Sequence, residues 1–78
     1  MAKIIVYGTP WCVWCMKAKQ FLESRKIRFQ WKDAQEPEIA REAYAKSGQM
    51  GIPVIDINGE IILGFDVEKI KSLLKIKE

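Results

Sequence analysis

The segment TPWCVWCMKAKQF, residues 9–21, contains both cysteines of a chain of 78 residues, and they are three positions apart. On a helix this spacing brings the two Cα atoms to about 5–6 Å, which is within the range that a disulfide spans. A disulfide that closes so short a loop stabilises a fold by only about 2 kcal/mol or less on the chain-entropy account. Redox or metal chemistry therefore explains Cys12 and Cys15 better than structural stapling does.

The sequence around this segment changes from a strand-like to a helical pattern. The run KIIVY, residues 3–7, is rich in β-branched residues and ends at Gly8, which predicts a buried strand followed by a turn. From Val13 onward, apolar residues recur at helical spacing, and the helix is expected to end near residues 24–26. Cys12 is therefore expected at the junction between this strand and this helix.

A second strand and a second helix are predicted next. The run IRFQW, residues 27–31, alternates apolar and polar residues, which predicts a strand with its apolar side, including Trp31, in the core. Pro37 fits the first turn of the following helix, and Gly48 is its expected end. The apolar face of that helix is expected to consist of Ile39, Ala40, Ala43 and Tyr44.

The clearest local signal is Asn58-Gly59 between two apolar runs, because both central positions of a two-residue hairpin turn tolerate positive φ. Asp66 is expected to cap a last helix. The element order is then β-α-β-α-β-β-α, in which the opening β-α-β unit implies parallel strands and the hairpin adds antiparallel ones. We predict a single α/β domain over residues 1–78, with a four-stranded mixed sheet flanked by three helices.

Composition and charge narrow the functional classes. Hydrophobic residues make up 49% of the chain and charges are spread along it, which favours a folded domain. The net charge is only +3, and no basic stripe with interleaved aromatics suggests nucleic-acid binding. No run is long and apolar enough to cross a bilayer, and no signal-peptide pattern is found. We expect a cytosolic monomer that binds neither nucleic acid nor membranes.

The two thiols are expected to differ. At the start of a helix, Cys12 meets unpaired N–H groups and the positive end of the helix dipole, which favours a thiolate. Cys15 lies one turn further in, where burial raises its pKa. This pattern predicts that Cys12 attacks the disulfide of a partner and that Cys15 resolves the mixed disulfide.

Two other interpretations of the cysteines are weighed against this one. A zinc site needs about four ligands, and the chain has no histidine and no further cysteine, so no metal site within one chain is predicted. An iron–sulfur cluster shared by two chains, using Cys12 of each, is an alternative function. Cys15 alone could also be an inert core residue.

The C-x-x-C at the first strand-to-helix turn, in this order of elements, resembles the thioredoxin-like fold in its short glutaredoxin form. With the stretch SGQMGIPVIDINGEIILGFD, residues 47–66, the chain is similar over nearly its whole length to bacterial and archaeal glutaredoxin-like proteins of the YruB type. The resemblance implies that Pro53 is a cis-proline facing the cysteines. It also implies that the backbone of Ile52 pairs with an extended substrate segment.

By the same resemblance, Gly64 allows close approach beside the cysteines and Phe65 offers an apolar platform. The simpler interpretation is that Gly64 ends a strand, Phe65 belongs to the core and Asp66 is only a helix cap. The apolar residues that flank the thiols are expected to remain partly exposed as a docking patch. The candidate substrate-binding residues are therefore Trp11, Val13, Trp14, Ile52, Pro53, Gly64 and Phe65.

The chain departs from glutaredoxins that use glutathione, which commonly carry Pro-Tyr between the cysteines, a lysine three positions before the first, and a pair of aspartates after the glycine. Here Val13-Trp14 separates the cysteines, Thr9 replaces the lysine, and one aspartate, Asp66, follows Gly64. The Gly-Phe pair is similar to NrdH-type redoxins, which thioredoxin reductase reduces. We expect recharging by a thioredoxin reductase-like flavoenzyme and no bound cofactor. A glutathione-dependent glutaredoxin, with glutathione as reductant, is the alternative.

Overall fold

The computed structural model describes residues 3–75 and arranges them in the predicted order of four strands and three helices. The predicted domain of residues 1–78 extends beyond this range by residues 1–2 and 76–78. No helix within the described range is long and apolar enough to span a bilayer. The elements are β1 (Ile4–Gly8), α1 (Val13–Ser24), β2 (Gln30–Asp33), α2 (Pro37–Ser47), β3 (Val54–Ile57), β4 (Glu60–Leu63) and α3 (Val67–Leu74).

The four strands form one mixed sheet in the order β2-β1-β3-β4. Strand β1 pairs in parallel with β2 and antiparallel with β3, and β3 pairs antiparallel with β4. All residues of β1 are buried, as the apolar run predicted. Because β1 is bonded on both sides, it fixes the position of the turn that leads into α1.

The two faces of the sheet are packed differently. Side chains of α1 and α3 cover one face, and their buried partners on the sheet are all apolar. The other face carries α2 and a smaller buried cluster. We call these the α1/α3 face and the α2 face. Buried hydrophobic residues of the first are Ile4, Val6, Ala18, Leu22, Ile55, Ile57, Ile62 and Ile70; those of the second are Ile5, Tyr7, Ala43 and Val54.

Charged side chains supplement the core on the α2 face. The hydroxyl of Tyr7 donates a hydrogen bond to the Glu42 carboxylate, which also accepts from Lys32 Nζ at 2.8 Å. Lys46 Nζ donates to Asp56 Oδ2 at 2.7 Å. We call these five residues the α2 ion network, which ties α2 to three strands of the sheet.

Local signals set the element boundaries where the sequence predicted them. Pro37 is the first residue of α2, and Gly48 ends that helix in the left-handed region at φ 73°. Asn58 and Gly59 form the hairpin turn with φ values of 52° and 91°. The Asp66 carboxylate caps α3 by accepting a backbone N–H at 3.2 Å.

The predicted second strand is wrong in its position. Strand pairing with β1 begins only at Gln30, which lies opposite Ile5, and it continues to Asp33 instead of covering residues 27–31. The alternation that suggested the earlier start has another cause, because Ile27 and Phe29 already pack against the α1/α3 face before the pairing begins. Trp31, which packs against the same face, lies within β2.

Two smaller differences concern the limits of β1 and the exposure of one side chain of α2. Strand β1 is displaced by one residue from the predicted residues 3–7 and includes Gly8. Tyr44, which helical spacing assigned to the apolar face of α2, is 50% exposed. Helical spacing gives the direction of a side chain but not the extent of the sheet beneath it, so the ring of Tyr44 lies beyond the covered area.

Candidate active site

Cys12 is the residue directly before α1 and has extended backbone angles. Its N–H donates to the carbonyl of Thr9 at 3.2 Å, and its Sγ accepts the N–H of Cys15 at 3.3 Å. Because the first N–H groups of a helix have no partner inside the helix, the sulfur takes the position that a capping oxygen usually has. A thiolate at Cys12 would therefore carry its charge beside an N–H donor and the positive end of the helix.

Cys15 lies in a different environment, because its side chain is fully buried whereas that of Cys12 is partly exposed. Burial, reinforced by the hydrogen bond with Cys12, raises the pKa of Cys15 from 9.0 to about 12. Cys15 therefore keeps its proton at neutral pH. The two thiols, only three positions apart, are chemically distinct.

Gly8 makes room for the buried thiol. A Cβ atom at Gly8 would lie 2.6 Å from Cys15 Sγ and 3.1 Å from Trp31 Cη2, and the first of these distances is too short for a real contact. The sequence identified Gly8 only as the end of a strand. Its contact with Cys15 depends on how α1 packs against β1, and no local pattern in the sequence indicates it.

A cleft of about 290 Å³ unites five of the seven predicted substrate-binding residues, and we call it the substrate cleft after that prediction. Its walls are Trp14, Ile52, Pro53, Gly64 and Phe65. The Ile52–Pro53 peptide bond is cis, as the resemblance implied. Gly64 has a φ of 76°, and its N–H donates to the Pro53 carbonyl at 2.9 Å, so the end of β4 is held against this proline.

The remaining predicted residues surround the thiols without lining the cleft. Trp11 and Val13 are 70% and 63% exposed, and Trp14, which does line the cleft, is 57% exposed. Phe65 fits both the core interpretation and the apolar-platform interpretation. Its ring packs edge-on against Phe21 at a centroid distance of 5.8 Å, and it also forms a wall of the cleft. The exposed rings leave apolar surface beside the cysteines.

The positions that bind glutathione in the resembled proteins are occupied by uncharged or otherwise engaged groups. Thr9 is buried, and its hydroxyl has no hydrogen-bond partner within residues 3–75. One carboxylate oxygen of Asp66 accepts the hydrogen bond that caps α3. Among the described residues, no group of three or more His, Cys, Asp or Glu side chains has the arrangement of a metal site.

Comparison with known proteins places this geometry in a family. The glutaredoxin family profile matches residues 4–62 of the chain. The chain belongs to the glutaredoxin family. This glutaredoxin-family protein is 40% identical, over 92% of its length and 97% of the relative's, to an uncharacterized glutaredoxin-like 8.6 kDa protein in the rubredoxin operon of Clostridium pasteurianum. It is 33% identical to a glutaredoxin of Pseudomonas aeruginosa, over 85% of its own length and 80% of the relative's.

Solved structures agree with this membership. The glutaredoxin grx-1 from Archaeoglobus fulgidus superimposes with a TM-score of 0.86 at 25% identity, over 96% of this chain and 88% of that one. A thioredoxin-like protein superimposes with a TM-score of 0.83 at 28% identity, over 91% and 99%. The fold is the thioredoxin-like fold of glutaredoxins, and the protein is a thiol–disulfide oxidoreductase.

Proposed function

We propose that this glutaredoxin-family protein reduces disulfides of other proteins with Cys12 as the nucleophile and Cys15 as the resolving thiol. The observation that carries the proposal is the difference between the two sulfurs. Cys12 is partly exposed and its Sγ accepts an N–H at the helix start, whereas Cys15 is fully buried and holds its proton. Attack on a partner needs an accessible thiolate, and resolution needs a second thiol within reach.

The reaction follows in two exchanges. The Cys12 thiolate attacks one sulfur of the partner's disulfide, so that a bond from Cys12 to the partner forms and the other partner sulfur leaves as a thiolate. Cys15 gives its proton to this departing thiolate and attacks Cys12 Sγ. The Cys12–Cys15 disulfide forms, and the second partner sulfur leaves as a thiolate. Two electrons have then passed from this chain to its partner.

Substrate binding is proposed to use the backbone of Ile52. Within residues 3–75, neither the N–H nor the carbonyl of Ile52 makes a backbone hydrogen bond, so both are available to an extended segment. A peptide that pairs with them in the manner of an added strand would lie along the substrate cleft. Its cysteine would then approach the start of α1.

We further propose that a thioredoxin reductase-like flavoprotein, rather than glutathione, returns the Cys12–Cys15 disulfide to the dithiol. The support is that Thr9 offers no positive charge to a glutathione carboxylate and that Asp66 is engaged by α3. A dithiol that must be recharged functions in a reducing compartment, so we propose that the protein acts in the cytosol. The proposal also includes that it acts as a monomer and without a bound cofactor.

The source of electrons is tested by the tryptophan fluorescence of the oxidised protein, because Trp11 and Trp14 flank the thiols. The protein is mixed with either millimolar glutathione or NADPH and thioredoxin reductase, and the change in emission is followed. We expect rapid reduction by the flavoenzyme and slow reduction by glutathione. Efficient reduction by glutathione alone would replace this proposal with the glutathione-dependent one.

The roles of the two cysteines are tested by single substitutions. Cys12→Ser is expected to abolish disulfide reduction because the accessible nucleophile is lost. Cys15→Ser is expected to retain the first exchange and to accumulate a covalent complex with the substrate, detected by intact-protein mass and removed by dithiothreitol. Disulfide reduction by Cys12→Ser at the rate of the unmodified protein would refute the assignment.

A further inference from the structure

A second cavity adjoins the substrate cleft and has no part in the steps described above. It measures about 170 Å³ and lies between the turn before α1, the side of α2 that carries Ala40 and Ala43, and the segment of residues 49–52. Toward solvent it continues into a groove of about 440 Å³, which shares Ala40, Tyr44 and Met50 with it. We call the cavity and the groove together the side pocket.

The inner part of the side pocket is apolar. Alanine side chains, among them Ala40 and Ala43, line it together with the ring of Tyr44 and the thioether of Met50. Tyr44 and Met50 are 50% and 81% exposed, which is unusual for large apolar side chains placed next to one another. Among residues 3–75, no charged side chain lines the inner cavity, whereas Arg41 borders only the outer groove.

The side pocket adjoins both the substrate cleft and the turn that precedes Cys12. Ile52 is a wall of both the substrate cleft and the inner cavity. Thr9, which also lines the cavity, accepts the backbone N–H of Cys12 through its carbonyl at 3.2 Å. Because successive side chains of an extended segment point to opposite sides, a peptide running past Ile52 has side chains for both spaces.

We propose that the side pocket binds an apolar side chain of the protein whose disulfide is reduced, a few residues from the attacked cysteine. This inference rests on the proposed function. A cavity of about 150 Å³ with apolar walls is known to hold a benzene molecule, so about 170 Å³ accepts one aromatic ring or one branched aliphatic side chain. The flexible thioether of Met50 adapts to either shape.

An apolar side chain fits this site better than glutathione does. Glutathione would bring a carboxylate to the inner cavity, whose polar groups are uncharged, which is unfavourable because Arg41 borders only the outer groove. An apolar side chain of a protein instead covers the exposed Tyr44 and Met50. It also anchors the segment that pairs with Ile52, so the pocket selects among protein disulfides by their neighbouring residues.

The test uses reduced protein in single-turnover reactions, so that the source of electrons has no influence on the result. The substrates are short peptides that carry one cysteine as a mixed disulfide with mercaptoethanol and differ only in the position of one leucine; a parent peptide has serine instead. The second-order rate constant is measured by stopped flow. Hydroxyethyl disulfide, which cannot reach the side pocket, serves as a reference substrate.

We expect the peptide with the best-placed leucine to react about tenfold faster than the serine parent, which is the usual gain from one apolar contact. The double variant Tyr44→Ser/Met50→Ser should reduce this preference to less than about twofold. Leu63→Ser, which removes a side chain of similar exposure outside both spaces, should retain it. All three proteins should reduce hydroxyethyl disulfide equally fast.

Three results would overturn the proposal: equal rates for all peptides, a preference that survives in the double variant, or a preference that Leu63→Ser loses as well. Sedimentation that shows a dimer for the unmodified protein and a monomer for the double variant would assign the pocket to a second copy of the chain instead. Failure of the reduced, unmodified protein to react with hydroxyethyl disulfide would contradict the proposed function itself, whatever the peptides show.

Discussion

The two faces of the sheet are stabilised by different means although they share the same strands. On the α1/α3 face, eight buried apolar side chains form a continuous cluster among the described residues, and further apolar side chains pack around it. On the α2 face the buried cluster has only four apolar side chains, and the α2 ion network, which includes the buried Asp56, supplies further contacts. The first face therefore depends on apolar burial and the second on a small core with charged contacts.

The cysteines and the side pocket are therefore held in place by contacts on different faces of the sheet. The helix that carries Cys15 is anchored in the larger cluster through Ala18 and Leu22, so the position of the thiols depends on close packing. Tyr44 lies on α2, which has one buried side chain, Ala43. We infer that most of the stability resides on the α1/α3 face, and that substitutions on the α2 face are better tolerated.

The largest effect is expected from Leu22→Ala on the α1/α3 face. Removing this buried side chain leaves a cavity between α1 and the sheet, and the free energy of unfolding should fall by about 2–5 kcal/mol. Urea denaturation followed by circular dichroism measures the change. Leu63→Ala, at an exposed site, should alter stability by no more than about 0.5 kcal/mol. A loss below about 1 kcal/mol for Leu22→Ala would remove the basis of the comparison.

Gly8→Ala should have the next largest effect, because its Cβ would overlap Cys15 Sγ at 2.6 Å. We expect a loss of about 1–3 kcal/mol together with faster alkylation of Cys15 in a Cys12→Ser background, since the thiol is displaced from its buried site. Gly51→Ala is the matched control, because its nearest neighbour is the flexible side chain of Gln49 at 3.2 Å. Equal stability of the two variants would show that the Cys15 site accommodates a methyl group.

Lys46→Met tests the charged part of the α2 face. Asp56 is buried, and burial opposes its charge, but hydrogen bonds from Lys46 and from the N–H of Gly59 together hold its pKa below the usual 3.8. Loss of the lysine should cost about 1–2 kcal/mol at pH 7, reduced from the value for a fully buried pair because Lys46 is partly exposed.

The pH dependence of stability in this variant shows whether the loss of stability comes from lost charge or from lost packing. A carboxyl group whose pKa is lowered by folding stabilises the fold above its unfolded pKa and loses this contribution as the pH falls through the folded value. The difference between the unmodified protein and Lys46→Met should therefore shrink below pH 3.8. Lys69→Met on the exposed side of α3 should show neither effect. A difference that does not change with pH would point to lost packing rather than to lost charge.

The smallest effect is expected from Tyr7→Phe, which removes the hydrogen bond to Glu42 while Lys32 still pairs with that carboxylate. The free energy of unfolding should fall by about 1 kcal/mol at pH 7. Burial, and then the Glu42 hydrogen bond, raises the pKa of Tyr7 above 10.0, so its contribution is present below pH 10 and is lost as the pH rises further. Tyr44→Phe, at an exposed hydroxyl, is the control and should leave stability unchanged. A Tyr7→Phe protein as stable as the control would exclude the hydroxyl from the α2 ion network.

The sequence predicted those features that neighbouring residues determine. The boundary at Cys12, the end of α2 at Gly48, the turn at Asn58 and the cap at Asp66 each follow from a short pattern with a known backbone preference. The order and direction of the strands then followed from connection rules.

The features that it did not predict depend on residues far apart in the chain. Strand β2 begins late because its partner is β1, which a local alternation cannot show. The Tyr7–Glu42 hydrogen bond joins residues separated by 35 positions, and the contact of Gly8 with Cys15 depends on the packing of a helix. Helical spacing placed Tyr44 on the apolar face of α2, but its ring is half exposed. The extent of the sheet beneath α2 depends on all the strands, and helical spacing does not show it. Of the residues that line the substrate cleft, Trp14 was predicted from its place beside the thiols, and the other four were predicted only through resemblance.

The order of the elements has a consequence for the newly made chain. Cys12 and Cys15 are synthesised before Pro53, Gly64 and Phe65, which form walls of the substrate cleft. Strand β1 also waits for β3, its antiparallel neighbour in the sheet. Until that strand and β4 have emerged, the cysteines have neither their cleft nor their full sheet. A chain translated only as far as α2 therefore presents both thiols without the walls of the substrate cleft, which form after residues 52–65 have emerged.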